Sequence, residues 1–269
     1  MVLRAGFLAR LRQRFGGATA ALDSRSEPGS GALIYAIGDI HGCARELDDL
    51  HAKIAADAVQ RLGAAARPVT LVYVGDYIDR GPDSAGVIDR LLAPPPVSGA
   101  ERIFLRGNHE DAMLAFLADP EAGAEWLDYG GLETLSSYGV SPGGGPLWRH
   151  KLSEGLAARL PAPHRQFLET LRDRWSHGGY GFVHAGIRPG LAWEAQKTDD
   201  LLWIREPFLS SRTRFDRKII HGHTITDRPD VRPNRVGIDT GAYHSGILTA
   251  LVIDGDVEAF LQTGAPVAS

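Results

Sequence analysis

Six short segments of the chain combine side chains that bind metal ions with side chains that bind phosphate. Asp, His and Asn recur in them and offer a mixed set of oxygen and nitrogen ligands, which suits manganese, iron or zinc better than calcium. The segments are Gly38-Asp39-Ile40-His41-Gly42, Gly75-Asp76-Tyr77-Ile78-Asp79-Arg80-Gly81, Gly107-Asn108-His109-Glu110, His184-Ala185-Gly186, Trp203-Ile204-Arg205-Glu206 and Gly222-His223-Thr224. The sequence therefore predicts a metal-binding site.

Six of these side chains are enough to hold two divalent cations. In a two-metal site the ions lie roughly 3.5–4 Å apart, and a hydroxide between them can attack a phosphorus atom directly at neutral pH. The segment that contains Asp76 falls between two other segments that follow strands, so Asp76 is predicted to bridge the ions. The predicted ligands are Asp39, His41, Asp76, Asn108, His184 and His223.

The remaining polar residues of the segments suit the chemistry of a phosphate group. The planar guanidinium groups of Arg80 and Arg205 match the oxygens of a phosphoryl group, and Asn108 is predicted to contact the phosphate as well. His109 follows the ligand Asn108 directly and is predicted to protonate a leaving group as a general acid. Asp79 is predicted to orient the His109 ring and to stabilise its charge.

The pattern of apolar residues predicts the elements that position the first three segments. Runs of apolar and β-branched residues at 33–37, 69–74 and 103–105 are typical of buried strands, and each run ends at one of the segments. Helical periodicity at 45–62 and 84–92 connects these strands. Because ligands of open α/β sheets bind at the carboxyl ends of the strands, the three segments are expected to meet there.

The second half of the chain has a different pattern. Residues 111–179 are predicted to form a helical insertion, interrupted by a loop rich in Gly and Pro at 141–146. Short strand-like runs follow at 180–184, 218–221, 236–239, 247–253 and 257–261. Their spacing predicts a second sheet that is mostly antiparallel or mixed.

In this order the motifs GDIHG, GDYIDRG, GNHE, HAG and GHT resemble the phosphoprotein phosphatase family of metallophosphoesterases. The resemblance covers roughly residues 33–253, and residues 201–206 and 237–242 resemble its bacterial and phage lambda phosphatase-like branch. It implies an α/β fold, the calcineurin-like metallophosphoesterase four-layer sandwich, in which two mixed β-sheets are flanked by helices. It also implies two divalent ions, with Mn²⁺ preferred and Fe, Zn, Ni or Co as alternatives, and hydrolysis of phosphomonoesters such as phosphoserine and phosphothreonine.

The resemblance also divides the ligands between the two ions. Asp39 and His41 match ligands of the first ion, Asp76 matches the bridge, and Asn108, His184 and His223 match ligands of the second. The positions of His109, Asp79, Arg80 and Arg205 match the general acid, its partner and the phosphate clamps. One departure from the branch is Tyr129-Gly130-Gly131, which stands where Asn-Gly-Gly is often found, and it concerns substrate contacts rather than the metal centre.

Two other functions fit the same motifs. A symmetrical bis(5'-nucleosyl)-tetraphosphatase has a similar metal core, but its third motif usually ends in Asp where this chain has Glu110. A pseudoenzyme would bind a phosphorylated partner without hydrolysing it. Residues that suit the chemistry fill all ten predicted ligand and catalytic positions, which argues against the pseudoenzyme.

Three further residues near these motifs have alternative interpretations. Strand alternation would point His221 to the same face as His223, so either could bind a metal ion, although the family position favours His223. His244 lies near the 239–241 turn and is expected to be a surface loop residue, with assistance to catalysis as the alternative. Cys43 follows the first metal motif but is expected to be a small buried apolar residue.

Composition limits the partners of the chain. The 269 residues carry a net charge of −4, so the chain lacks the electrostatic signature of a nucleic-acid-binding protein, and the expected partner is a phosphoprotein or a small phosphoester. The single cysteine excludes an internal disulfide and suits a reducing compartment, which favours a cytoplasmic location. No apolar stretch is long enough for a membrane span. A monomer or a small homo-oligomer is expected.

The chain is predicted to have an N-terminal extension and one catalytic domain. Residues 1–31 are expected to form a basic amphipathic helix followed by a linker, and residues 32–269 to form the metallophosphoesterase domain. The helix contains four arginines and no acidic residue within residues 1–15. It is expected to dock on its own domain, with weak contact to a membrane surface as the alternative.

Overall fold

The computed structural model of the chain describes residues 31–63, 67–141, 143, 145 and 147–264. The predicted N-terminal helix lies outside the described residues. None of the described helices combines the length and the apolar character that crossing a bilayer requires.

The described chain contains ten strands and eight α-helices. The strands are β1 (Leu33–Ile37), β2 (Val69–Tyr73), β3 (Glu101–Phe104), β4 (Arg174–His177), β5 (Tyr180–Val183), β6 (Lys218–His221), β7 (Asp230–Val231), β8 (Arg235–Gly237), β9 (Thr249–Asp254) and β10 (Val257–Gln262). The helices are α1 (Ala44–Leu62), α2 (Ser84–Leu92), α3 (Asn108–Ala118), α4 (Gly131–Ser137), α5 (Trp148–Arg159), α6 (Ala162–Glu169), α7 (Thr198–Trp203) and α8 (Ala242–Ser245), with short 3-10 helices at Ala124–Tyr129 and Trp193–Ala195.

The strands form two mixed sheets of five strands each. The first sheet has the order β10-β9-β1-β2-β3, with β1, β2 and β3 parallel and β9 antiparallel to both β1 and β10. The second has the order β4-β5-β6-β8-β7, with β5, β6 and β8 parallel and the two edge strands antiparallel to their neighbours. Within each sheet, the carboxyl ends of the parallel strands therefore lie at the same end of the sheet.

Two predictions about the second half of the chain were wrong. The runs at 247–253 and 257–261 do not extend the second sheet, because β9 pairs with β1, with Leu33 opposite Asp254, and β10 continues that sheet. The predicted helical insertion also ends early, since residues 174–177 form β4 and pair with β5. The alternation of apolar residues indicates which face of a strand is buried. The choice of the neighbouring strand depends on tertiary packing, which this alternation does not show.

Alternating residues of β1 show how the layers are stacked. Tyr35 and Ile37 belong to the core that the first sheet shares with α1 and α2. Ile34 and Ala36 belong to the core between the two sheets, together with Ile238. A third apolar cluster covers the outer face of the second sheet and includes residues of α7. This order confirms the predicted α/β fold, with two mixed β-sheets flanked by helices.

The contact between α1 and β2 generates a prediction about pH and stability. His51 Nε2 lies 2.9 Å from the hydroxyl of Tyr73, and burial lowers the pKa of His51 from 6.5 to about 4. Because the unfolded chain binds a proton that the folded chain excludes, the free energy of unfolding should fall by roughly 1–3 kcal/mol as the pH drops from 6.5 to 4. Urea unfolding across this range should show a smaller fall in His51→Gln, and an equal fall would contradict the assignment.

Candidate metal centre

The predicted ligands meet at the edge where strands of both sheets end. The segments of the first sheet follow β1, β2 and β3, and His184 and His223 follow β5 and β6. The acidic, amide and imidazole side chains of the site are almost fully buried, with exposed fractions of 8% or less. This buried set consists of Asp39, His41, Asp76, Asp79, Asn108, His109, His184 and His223. The fold thus brings together residues up to 184 positions apart in the chain.

Asp76 lies between two groups of donor atoms. Its Oδ2 atom is 3.5 Å from His41 Nε2 and 3.4 Å from His184 Nε2. One group of donors that could hold a metal ion consists of His41, Asp76 and His109, and the other consists of Asp76, His184 and His223. The carboxylate of Asp76 is therefore common to both groups, which is the arrangement that a bridging ligand requires.

The donors on the His184 side converge closely. Asn108 Oδ1 is 2.8 Å from His184 Nε2 and 2.8 Å from His223 Nδ1, and these two nitrogens are 3.2 Å apart. Burial lowers the pKa of both imidazoles, which keeps the rings neutral and their lone pairs available. Together with Asp76, these three side chains suit one divalent ion.

Backbone carbonyls fix the orientation of the two rings that face Asp76. His41 Nδ1 is 2.8 Å from the carbonyl oxygen of Ile78, and His184 Nδ1 is 3.0 Å from that of Val74. A ring that donates its Nδ1 hydrogen to a carbonyl presents Nε2 as the ligand atom. Burial also lowers the pKa of His41 to about 3, so both rings can offer Nε2 to an ion beside Asp76.

Asp39 lies next to these donors but outside the two compact groups. Its Oδ2 accepts a hydrogen bond from the backbone nitrogen of His223 at 2.9 Å, whereas its buried Oδ1 has no hydrogen-bond partner. Burial raises the pKa of Asp39, and the nearby charges of Asp239 and Asp76 raise it further. Leaving a buried carboxylate oxygen unpaired is costly, and a cation beside it would remove that cost. The donor set therefore fits a first ion as well as a second.

Two residues of the helical insertion donate hydrogen bonds to Asp79, the partner of His109. Asp79 Oδ2 lies 2.6 Å from His109 Nδ1 and accepts a hydrogen bond from Trp126 Nε1, and Asp79 Oδ1 accepts one from Thr134. Burial tends to lower the pKa of His109, but the charges of Asp76 and Asp79 outweigh burial and raise it. The imidazole is therefore able to keep a proton inside the cluster. The sequence did not indicate the contacts of Trp126 and Thr134, because they depend on how the insertion packs.

Arg80 lies beside the first donor group, where its Nη1 is 3.2 Å from His41 Nε2 and its guanidinium carbon is 5.0 Å from the centre of the Tyr243 ring. Arg205 is exposed just after α7. Burial is the main cause of the lowered pKa of His184 and His223, and the positive charge of Arg205 lowers both further.

Glu110 joins the loops that follow β2 and β3, a role that the sequence did not reveal. Its carboxylate accepts hydrogen bonds from the backbone nitrogens of Gly107, Asp76 and Tyr77 at 2.8, 3.0 and 2.7 Å. Burial raises the pKa of Glu110 to about 8, with a further contribution from Asp76. The one available signal was its position three residues after Gly107, where a capping box places an acid.

Left-handed backbone is concentrated at the centre. Six described residues other than glycine have a positive φ angle, and five of them are residues that the sequence predicted for the site: His41, Asp76, Asp79, Arg80 and His223. Such conformations cost free energy and persist where the surrounding structure enforces them, most often at functional sites.

The three residues with alternative interpretations lie around the centre. His221 does not share a face with His223, because the strand ends at His221 and its ring packs against Phe208 and lies 3.3 Å from Arg235 Nη1. The His244 ring stacks edge-on against Tyr243 beside the 239–241 turn. Cys43 is buried, and its thiol donates a hydrogen bond to the carbonyl oxygen of His41.

A methyl group at position 222 should disturb the first ion. A Cβ atom at Gly222 would overlap Asp39 Oδ1, so Gly222→Ala should displace that carboxylate and reduce bound manganese from two ions per chain toward one. Elemental analysis after dialysis measures this change. Gly179→Ala is the control, because a Cβ there meets nothing within 4 Å. Two tightly bound ions in Gly222→Ala would contradict the predicted role of Asp39.

The pairing of His109 with Asp79 predicts a change in titration. In Asp79→Asn the negative charge beside the imidazole is lost, so the pKa of His109 should fall. Histidine NMR of the metal-free protein measures this shift, with His51 as an internal control outside the cluster. An unchanged or higher pKa for His109 would show that Asp79 does not stabilise the imidazolium.

Comparison with known proteins agrees with this geometry. A family model described as calcineurin-like phosphoesterase matches residues 32–246. The chain is 28% identical over 236 residues to the asymmetrical bis(5'-nucleosyl)-tetraphosphatase PrpE of Anoxybacillus flavithermus, covering 81% of this chain and 90% of the relative. It is 31% identical over 224 residues to serine/threonine-protein phosphatase 1 of Salmonella typhimurium, covering 80% of this chain and 89% of the relative.

A crystal structure described provisionally as a diadenosine tetraphosphatase has a similar fold. Its TM-score is 0.58 at 22% identity, and the alignment covers 89% of this chain and 97% of the other. The family match spans most of the chain, and Asp and His donors cluster where the motifs of that family predict them. The chain therefore belongs to the calcineurin-like phosphoesterases, within the phosphoprotein phosphatase family that its motifs resemble.

Proposed function

We propose that the chain hydrolyses phosphomonoesters of the phosphoserine and phosphothreonine type with the help of two divalent metal ions. The observation that carries this proposal is the position of Asp76, whose Oδ2 lies 3.5 Å from His41 Nε2 and 3.4 Å from His184 Nε2. One buried carboxylate between two imidazole-containing groups suits a pair of ions far better than a single ion.

The residues divide between the two ions as the motifs suggest. Asp39, His41 and Asp76 would hold the first ion, and Asp76, Asn108, His184 and His223 would hold the second. When bound, two such ions supply a water that loses its proton near neutral pH and can attack phosphorus. The mixture of oxygen and nitrogen ligands suits Mn²⁺, with Fe, Zn, Ni and Co as alternatives.

The arginines and the amide would hold the substrate phosphate. Arg80 lies beside His41, and the charge of Arg205 acts on His184 and His223, so the two guanidinium groups would bind phosphate oxygens near the two ions. Asn108 is close enough to the cluster to contact the phosphate while it binds an ion. The aromatic ring of Tyr243 packs against the Arg80 guanidinium and restricts its orientation.

His109 would protonate the oxygen that leaves the phosphorus. Its Nδ1 is held by Asp79 at 2.6 Å, and its Nε2 lies 3.9 Å from Asp76 Oδ2, so Nε2 faces the cluster. Asp79 and Asp76 together raise the pKa of His109, which keeps a proton available. The same contacts argue against a pseudoenzyme, because the acid and its partner are assembled as well as the metal ligands.

The relatives support two substrate classes. The 31% identity to a serine/threonine-protein phosphatase supports phosphoprotein substrates, whereas the relatives named as bis(5'-nucleosyl)-tetraphosphatases support dinucleoside polyphosphates. A bis(5'-nucleosyl)-tetraphosphatase activity is therefore the second candidate, and relatives of both the symmetrical and the asymmetrical type support it. Both candidates use the same metal centre, so they differ in the groups outside the phosphate.

A comparison of substrates and variants tests the proposal. The protein should hydrolyse p-nitrophenyl phosphate and phosphoserine peptides when Mn²⁺ is added, and Asp76→Asn should abolish this activity because both ions lose their shared ligand. His109→Asn should lower turnover by about 10²–10⁴-fold. The loss should be larger for the phosphoserine peptide than for p-nitrophenyl phosphate, because the serine alkoxide is the poorer leaving group.

Several outcomes would contradict these assignments. Full activity in Asp76→Asn would falsify the two-metal mechanism, and equal losses on both substrates in His109→Asn would remove the acid role. Diadenosine tetraphosphate distinguishes the candidates, because symmetrical cleavage yields two ADP and asymmetrical cleavage yields ATP and AMP. Faster hydrolysis of this compound than of phosphopeptides would favour the second candidate.

A further inference from the structure

Asp239 is a buried carboxylate that the proposed mechanism does not use. It follows β8 at the edge where the predicted ligands meet, and it is 1% exposed. Its Oδ1 accepts a hydrogen bond from the backbone nitrogen of Gly241 at 2.9 Å, whereas its buried Oδ2 has no hydrogen-bond partner. Buried polar atoms in folded proteins are nearly always paired, so this oxygen indicates a missing ligand.

A close contact between the two sheets places Asp239 beside Asp39. A Cβ atom at Gly38 would overlap the carbonyl oxygen of Ile238, so the residues that follow β1 and β8 lie against one another. The charges of Asp39 and Asp239 therefore act on each other, and the two carboxyl groups are close enough to share a hydrogen bond when one of them is protonated. When both are ionised, neither of the two oxygens has a donor. Asp39 has an unpaired buried oxygen of its own, Oδ1. Two observations on neighbouring carboxylates therefore point to the same missing partner.

Protein cations do not supply that partner. Within the described part of the chain, no Lys, Arg or His side chain forms a salt bridge with Asp39 or Asp239, although the Arg80 charge acts on both at longer range. Like charges in a buried pair oppose one another strongly unless a cation or a proton lies between them. A divalent ion next to both carboxylates would satisfy their unpaired oxygens.

We propose that Asp239 is a further carboxylate ligand of the first metal position, an inference that rests on the proposed two-metal function. The first position then offers three carboxylates, from Asp39, Asp76 and Asp239, with the single imidazole of His41. The second position shares Asp76 but offers an amide and two imidazoles.

This difference gives the two positions different metal preferences. Carboxylate ligands favour Mn²⁺ and Mg²⁺, whereas imidazole ligands favour Zn²⁺ and similar ions. The first position is thus expected to prefer hard cations such as Mn²⁺ more strongly than the second, and the Asp239 carboxylate adds to this preference.

Metal binding to the Asp239→Asn variant tests this inference without relying on activity. Asparagine keeps the size of the side chain and the acceptor for Gly241, but it removes the charge. Equilibrium dialysis should show two Mn²⁺ ions bound to the unmodified protein, whereas one ion should bind about 10–100-fold more weakly to the variant. At low metal concentration, electron paramagnetic resonance should show a spin-coupled manganese pair in the unmodified protein. Asp239→Asn should show the signal of an isolated Mn²⁺ ion.

Controls separate this role from a structural one. Asp200→Asn changes another nearly buried acid, which is paired with Arg188 outside the cluster, and should still bind two ions. Without metal, Asp239→Asn should unfold at the same temperature as the unmodified protein or higher, because a repelling charge is gone. When Mn²⁺ is added, the unfolding temperature of Asp239→Asn should rise less than that of the unmodified protein.

Two results would overturn the inference or its basis. Two Mn²⁺ ions bound to Asp239→Asn with unchanged affinity would show that Asp239 only shapes the 239–241 turn. Failure of the unmodified protein to bind any Mn²⁺ would instead refute the proposed two-metal function.

Discussion

A buried negative charge at the end of β2 constrains the rest of this structure. Asp76 is 2% exposed, and burial opposes its ionisation, yet the interaction with the surrounding imidazoles outweighs burial and lowers its pKa. Unlike His41 and His184, His109 has a raised pKa and can carry the opposing positive charge. A charge in such a place is stable only where groups of opposite charge or metal ions surround it. Asp76 follows β2 of the first sheet and lies close to His184, which follows β5 of the second, so both sheets contribute to the surroundings of this one charge.

The loops around Asp76 keep their shape through contacts that cross the fold. Glu110 connects the loop after β2 to the loop after β3, because its carboxylate accepts hydrogen bonds from four backbone nitrogens in these loops. Trp126 and Thr134 from the helical insertion hold Asp79, which in turn holds His109. These contacts hold Asp76 and Asp79, two of the five site residues that have left-handed backbone conformations. The insertion therefore helps to position residues of the candidate site.

The sequence predicted the parts of this arrangement that local pattern encodes. The first three strands and the helices between them follow from periodicity, and the motifs identified the side chains that the structure brings together around Asp76. Partners across the fold were not predictable in this way. β9 joins β1 through pairing over more than two hundred residues, and the neighbouring positions of Asp39 and Asp239 arise from a backbone contact between sheets at Gly38. Neither leaves a signal in residue spacing.

The same limit applies to substrate choice. The candidate metal centre consists of residues near the strand ends, and these residues do not distinguish a phosphopeptide from a dinucleoside polyphosphate, because relatives named for both kinds of substrate match the chain. Tyr129 and Tyr243 are exposed, beside Gly130 and Arg80. Their contacts depend on tertiary packing, so the motifs alone leave the substrate class open while fixing the chemistry.

Anomalous diffraction at the manganese edge, from crystals grown with Mn²⁺, tests the central claim most directly. Two peaks per chain are expected, roughly 3.5–4 Å apart, with the Asp76 carboxylate between them. A single peak, or two peaks of which only one contacts Asp76, would contradict that claim.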